Sequence, residues 1–104
     1  MYIAMNRFTV PAANADAFEA LWLGRDSHLK EMDGFVEFHM LRGPETDGKV
    51  LYASHTVWAS EAAFTAWTRS EQFRAAHRDA GQTTKLYDGH PNFEGFTSIQ
   101  TIAS

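Results

Sequence analysis

The chain predicts an α+β fold of the ferredoxin-like, split βαβ kind, an antiparallel sheet with both helices on one face. Three observations lead there. Strand-like segments occur at Tyr2 to Val10, Phe35 to Arg42, Val50 to Trp58 and about Phe93 to Ile102. Helical segments with asparagine or serine starts follow the first and third of these. No internal repeat, low-complexity tract or linker interrupts the order strand, helix, strand, strand, helix, strand, so residues 1–104 read as one domain.

In the first strand, Tyr2, Ala4, Asn6, Phe8 and Val10 share one face, and Ile3, Met5, Arg7 and Thr9 take the other. Both faces are largely apolar, which predicts a central strand buried on both sides. A partner subunit would then cover the sheet face that the helices leave open. Asn6 stands among apolar neighbours, where its amide needs partners, and Pro11 ends the strand. Asn14 is placed to cap a helix whose apolar positions are Phe18, Leu21, Trp22 and Leu29. Gly24 weakens that helix, GRDSHLKEM is expected to be irregular, and Asp33-Gly34 is a turn.

The second and third strands form a hairpin joined by the polar loop GPETDGK. A register with Arg42 opposite Tyr52 sets His39 directly opposite His55. Two histidines alone are a weak metal signature, since a zinc site takes three or four protein ligands, and Glu37 could add a carboxylate. A solvated cross-strand pair is the plainer reading. His28 and His90 lie in polar surroundings and read as surface residues.

The stretch from Thr56 to His77 is the most informative. Thr56-Val57-Trp58 closes a strand, and Ser60 followed by Glu61 opens a helix. Phe64 and Trp67 share one helical face. Ser70 before Glu71 looks like a second cap, which predicts a break and a continuing segment. There Phe73 and His77 lie four apart, Ala75 and Ala76 keep the surroundings of the histidine small, and Gly81 supplies a stop. By spacing alone His77 is better explained as a core or surface histidine than as a ligand. After Gly81, QTTKLYDGHPN reads as a long polar loop of the kind that often clamps ligands.

Composition excludes several classes. A formal net charge of −4, with no run of Lys or Arg, argues against nucleic acid as partner. There is no cysteine for disulfide or thiolate chemistry. MYIAMNRFTV lacks a basic flank and a long apolar core, so it is not read as a signal peptide, and no apolar stretch reaches membrane-spanning length. A cytoplasmic location is the expectation. There is no G-x-S-x-G elbow and no Gly-rich loop leading from strand to helix. Eight Phe and three Trp exceed what so small a core needs, which fits a flat apolar ligand or a subunit interface.

The pattern T-V-W-x-S-x-x-A-F-T-x-W-x-x-S-x-x-F-x-x-A-H from Thr56 to His77, with Asn6-Arg7 in MNRFTV, resembles the IsdG-type haem-degrading monooxygenases of the antibiotic biosynthesis monooxygenase superfamily. The resemblance spans nearly the whole chain. It implies a homodimer in which two sheets build a shared α/β barrel, with haem as both substrate and cofactor. It also implies consumption of O2 and electrons from an external donor, a reductase, and release of iron and a linear tetrapyrrole. His77 would be the axial ligand of the haem iron. Asn6 would donate a hydrogen bond to the oxygen on the opposite face, and Trp67 would distort the macrocycle. Arg25, Arg74, Arg78 and Lys85 are propionate candidates by charge alone. Two rivals remain open: a cofactor-free monooxygenase acting on a quinone or polyphenol, and a haem carrier without turnover.

Overall fold

The computed structural model describes residues 1–25, 27–77 and 86–104. Its strands are β1 (Tyr2–Pro11), β2 (Phe35–Thr46), β3 (Lys49–Trp58) and β4 (Asp88–Thr97). Its helices are α1 (Ala15–Leu23), α2 (Glu61–Thr68) and α3 (Glu71–Ala76). The sheet runs β2-β3-β1-β4, and every neighbouring pair is antiparallel. This is the expected ferredoxin-like arrangement, with β1 at the centre.

β1 shows how the sequence pattern fixes the layers. Tyr2, Ala4, Phe8 and Val10 are buried on its inner face. Phe18 of α1 packs in a cluster with Phe8, Val10, Val50 and Tyr52, while Trp67 of α2 and Ala76 of α3 join Tyr2, Ala4 and Trp58. The helices therefore lie on one face. On the outer face Arg7 and Thr9 are exposed and Ile3 and Met5 half-buried, so in the single chain β1 is covered on one side only.

The β2–β3 hairpin is tighter than expected. Most of GPETDGK is strand, and the connection is only Asp47-Gly48, with φ of 54° and 77°. Positive φ at both residues is the primed turn whose twist matches paired strands, and Asp-Gly is its preferred pair. The register holds as predicted: Arg42 faces Tyr52 and His39 faces His55.

The last strand differs at both ends. It starts at Asp88 rather than Phe93 and stops at Thr97 rather than Ile102. Gly89 and Pro91 read as loop residues, but β4 is an edge strand, paired on one side only, where proline is tolerated. Residues 98–104 have no regular structure, with Ile99 and Ile102 exposed.

The first helix also ends early. α1 stops before Gly24, and Leu29 sits on a separate helical turn, Leu29–Glu31. Asn14 occupies the cap position without a capping bond; its amide donates instead to the Leu86 carbonyl at 3.3 Å. By contrast Ser60 and Ser70 each cap as expected, accepting from the backbone N–H of Ala63 and Phe73. Two caps ten residues apart break the segment into α2 and α3. α3 ends at Ala76, with His77 as its C-cap. The stop expected at Gly81 and the first part of the expected loop lie outside the described residues. No helix among the described residues is long and apolar enough to cross a membrane.

Candidate functional site

The two hydrophobic clusters do not merge. Between them, on the inner face of the sheet, β1 carries Asn6 and β3 carries Ser54, and these two are paired across the ladder. A cavity of about 500 Å³ opens there, lined by Asn6, Ser54 and Thr56 on the sheet side and by Trp67, Phe73 and His77 on the helix side. Trp22, Phe38, Phe64 and Phe93 supply further aromatic wall. Trp22 stacks on Phe38 at 6.1 Å and Phe64 on Phe93 at 5.6 Å. Flat, rigid walls of this kind suit a flat apolar ligand.

All three residues singled out in the sequence, Asn6, Trp67 and His77, line this one cavity. Asn6 is half-buried, and its amide makes no hydrogen bond to another described residue. Of the Asn6-Arg7 pair, only Asn6 faces the cavity; Arg7 lies on the outer face and pairs with Glu94 at 2.6 Å. Trp67 is buried, its ring 6.2 Å from that of Trp58 and 5.4 Å from that of Phe73. Neighbours on two sides fix the indole.

His77 follows the last turn of α3. Its ring stacks on Phe73 with centroids 4.0 Å apart, and Nδ1 lies 2.8 Å from the Phe73 carbonyl oxygen. A carbonyl can only accept, so Nδ1 carries the hydrogen, and in the neutral ring Nε2 keeps its lone pair. The residue counts as exposed by area, yet its pKa is pushed below the usual histidine value. Loss of water around the ring is the main cause, helped by the Arg25 charge and opposed by the Phe73 carbonyl. The direction follows from geometry: stacking on Phe73 hinders hydration of the imidazolium more than of the neutral ring.

Arg25 anchors this region. Its Nε and Nη2 donate to the carbonyl of Ala76 at 3.1 and 2.9 Å, and its guanidinium lies 4.5 Å over the Trp22 ring. It ties the end of α1 to the residue before His77. Arg25 also lines the cavity, whereas Arg74 is exposed on α3 and does not. Arg78 and Lys85 lie outside the described residues.

The hairpin histidines sit elsewhere, on the outer sheet face. The rings of His39 and His55 are 5.8 Å apart, and His39 Nε2 donates to Glu37 at 2.8 Å. Among the described residues no group of three or more His, Cys, Asp or Glu side chains is placed to hold a metal ion. Ser54 escaped sequence reading. A signal was present, because inward-facing Val50, Tyr52, Ser54, Thr56 and Trp58 alternate along β3, and two of these five are polar.

The chain belongs to the antibiotic biosynthesis monooxygenase family, whose model matches residues 1–79. No functionally curated protein matches its sequence. Among solved structures it is similar to SnoaB, a cofactor-independent oxygenase from Streptomyces nogalater, at 26% identity and a TM-score of 0.71. That match covers 99% of this chain and 97% of SnoaB. It is also similar to MhuD, a haem degrader from Mycobacterium tuberculosis with two haems bound in its active site. Identity there is 23% and the TM-score 0.76, over 99% of this chain and 100% of MhuD.

The His77 tautomer and its lowered pKa are open to direct test. An imidazole whose charged form is penalised takes its proton only at lower pH. An unfolded chain therefore binds that proton first as pH falls through about 6.5, and His77 then lowers stability. Nitrogen-detected NMR of the ring from pH 8 to pH 4 should give a midpoint below 6.5, with Nδ1 protonated and Nε2 bare above it. A midpoint at or above 6.5, or the opposite tautomer, contradicts the geometry.

Proposed function

We propose that this monooxygenase-family protein cleaves the haem macrocycle oxidatively at a meso carbon. It would use O2 and electrons from an external donor, and release iron and a linear, biliverdin-like tetrapyrrole. The observation that carries this reading is His77: its Nδ1–H is committed to the Phe73 carbonyl, so a neutral ring offers Nε2 at an aromatic-walled cavity. MhuD, described as a haem degrader, shares the fold and supports the reading.

The residues present fit the group. One imidazole has a lone pair for iron, an amide on the sheet side lacks a described partner, and the walls are flat. Haem, when bound, supplies the iron and the redox chemistry and is itself the molecule consumed. The chain does the rest. His77 would hold the iron, and the aromatic walls would flank the ring. The Asn6 amide would donate a hydrogen bond on the sheet side and has no titratable proton to give. Trp67, held by Trp58 and Phe73, would be the rigid surface pressed against a flat ring bound there. Arg25 is the propionate candidate that lines the cavity.

A second reading has one observation behind it. SnoaB, described as a cofactor-independent oxygenase, shares the fold at 24–26% identity, level with the 22–23% to MhuD. On that reading the cavity takes a quinone or polyphenol, and His77 has no iron to bind. Haemin titration followed by ascorbate in air separates the two: a ring opener gains and then loses haem absorbance, and a cofactor-free enzyme never gains it. A haem carrier would gain the absorbance and keep it.

Variants divide binding from turnover. Asn6→Ala should bind haemin with near-native affinity yet degrade it about two- to twelvefold more slowly, the loss of one neutral hydrogen bond. Trp67→Phe keeps an aromatic wall with less steric push and should also slow ring opening. Turnover of Asn6→Ala equal to wild type would remove the proposed role of the amide.

The reading includes a homodimer, formed through the outer sheet face. Val36, Leu41 and Phe96 remain exposed in the single chain, and Ile3 and Met5 of the central strand are only half-buried. Sedimentation at micromolar concentration should give twice the mass of one chain; a monomer there contradicts the assembly.

A further inference from the structure

Asn6 has a companion that neither the sequence pattern nor the family match assigns. Ser54 is its direct partner in the β1–β3 ladder, so both side chains leave the sheet on the cavity side, and both line the cavity. Ser54 is 6% exposed, the only polar residue in the buried set among the described residues. Its hydroxyl makes no hydrogen bond to any described residue. Nor does Oγ belong to the unpaired polar atoms sealed from solvent. The surface it keeps therefore opens into the cavity. A hydroxyl at this depth is costly unless a ligand or an ordered water satisfies it.

We propose that Ser54 is a second ligand-contacting residue: its hydroxyl and the Asn6 amide form a two-point hydrogen-bonding floor for one small acceptor held between the sheet and the ligand plane. The position supports this. Two residues along β3, at Tyr52, and two along β1, at Phe8, the inner face passes into the buried aromatic cluster under α1. The polar spot is confined to this pair and to Thr56 beside it. A confined spot fits a diatomic molecule, a small anion or one water better than a second large group. The two side chains differ in what they can do. The amide nitrogen of Asn6 only donates, whereas the Ser54 hydroxyl donates and accepts at once. Ser54 can therefore hold the acceptor while taking a hydrogen bond from a water, which Asn6 cannot do through the same atom.

The inference rests on the haem reading, and fluoride is the probe, because as an iron ligand it is small, anionic and sensitive to nearby donors. With ferric haem-loaded protein, Ser54→Ala should bind haemin within about twofold of wild type, since one oxygen atom is removed from a wall otherwise intact. Its fluoride affinity should fall about two- to twelvefold, the range for one lost hydrogen bond. In the ferrous carbonyl form, the C–O stretching band should move to higher frequency as a donor is removed. That band would not respond to a purely structural role of Ser54. If haemin binds and Ser54→Ala leaves both fluoride affinity and the C–O band as in wild type, the inference fails and the haem reading stands. If wild type takes up no haemin, both fall.

Discussion

One cross-strand pair decides how this core is built. Asn6 and Ser54 face each other at the middle of the inner sheet surface, where a two-layer fold of this size would ordinarily place its largest apolar contacts. Neither side chain finds a hydrogen-bond partner among the described residues. Burying both against helix side chains would leave their polar atoms unpaired, at a cost of about 1–3 kcal/mol each. The helices close instead on either side, Phe18 over one half of β1 and Trp67 over the other, and the space between them stays open. The cavity thus lies over the Asn6–Ser54 pair, with Thr56 beside it, in a largely apolar face.

What stands over that cavity is set by a second local feature, the broken helix. The helix begun at Ser60 ends at Thr68, and Ser70 follows. Its capping bond to Phe73 starts a new, shorter segment, and His77 falls just past the end of it. A residue at a C-cap is free of the helix's regular side-chain packing, but its neighbours here hold it in three ways. Phe73 stacks on the ring, the Phe73 carbonyl fixes the tautomer, and Arg25 grips the preceding carbonyl. Loss of water around the ring and the Arg25 charge favour its neutral form, against the pull of the Phe73 carbonyl.

Much of this was legible in the sequence, and what was not has physical reasons. The period-two and helical patterns gave the element order and the sheet, and Ser60 and Ser70 acted as the caps their chemistry suggests. The convergence of Asn6, Trp67 and His77 rested on a family pattern, because spacing ties only the last two together. Misplaced boundaries came from residues whose meaning depends on position in the sheet. Gly89 and Pro91 look like a loop until β4 is seen to be an edge, and Asp47-Gly48 hides a two-residue turn inside what reads as a long polar loop. Asn14 has the chemistry of a cap but gives its amide to a carbonyl 72 residues away. Ser54 carries only the weak signal of a polar residue on the inward-facing side of β3, and its weight depends on the cross-strand partner Asn6.

The central claim is that the bare Nε2 of His77 is there to hold iron. The most direct measurement is resonance Raman spectroscopy of the ferrous haem-loaded protein, prepared with natural and with nitrogen-15 histidine. The account predicts an iron–imidazole stretching band that shifts with the isotope and disappears in His77→Ala. A ferrous complex with no isotope-sensitive band, or one whose band survives in His77→Ala, would contradict it.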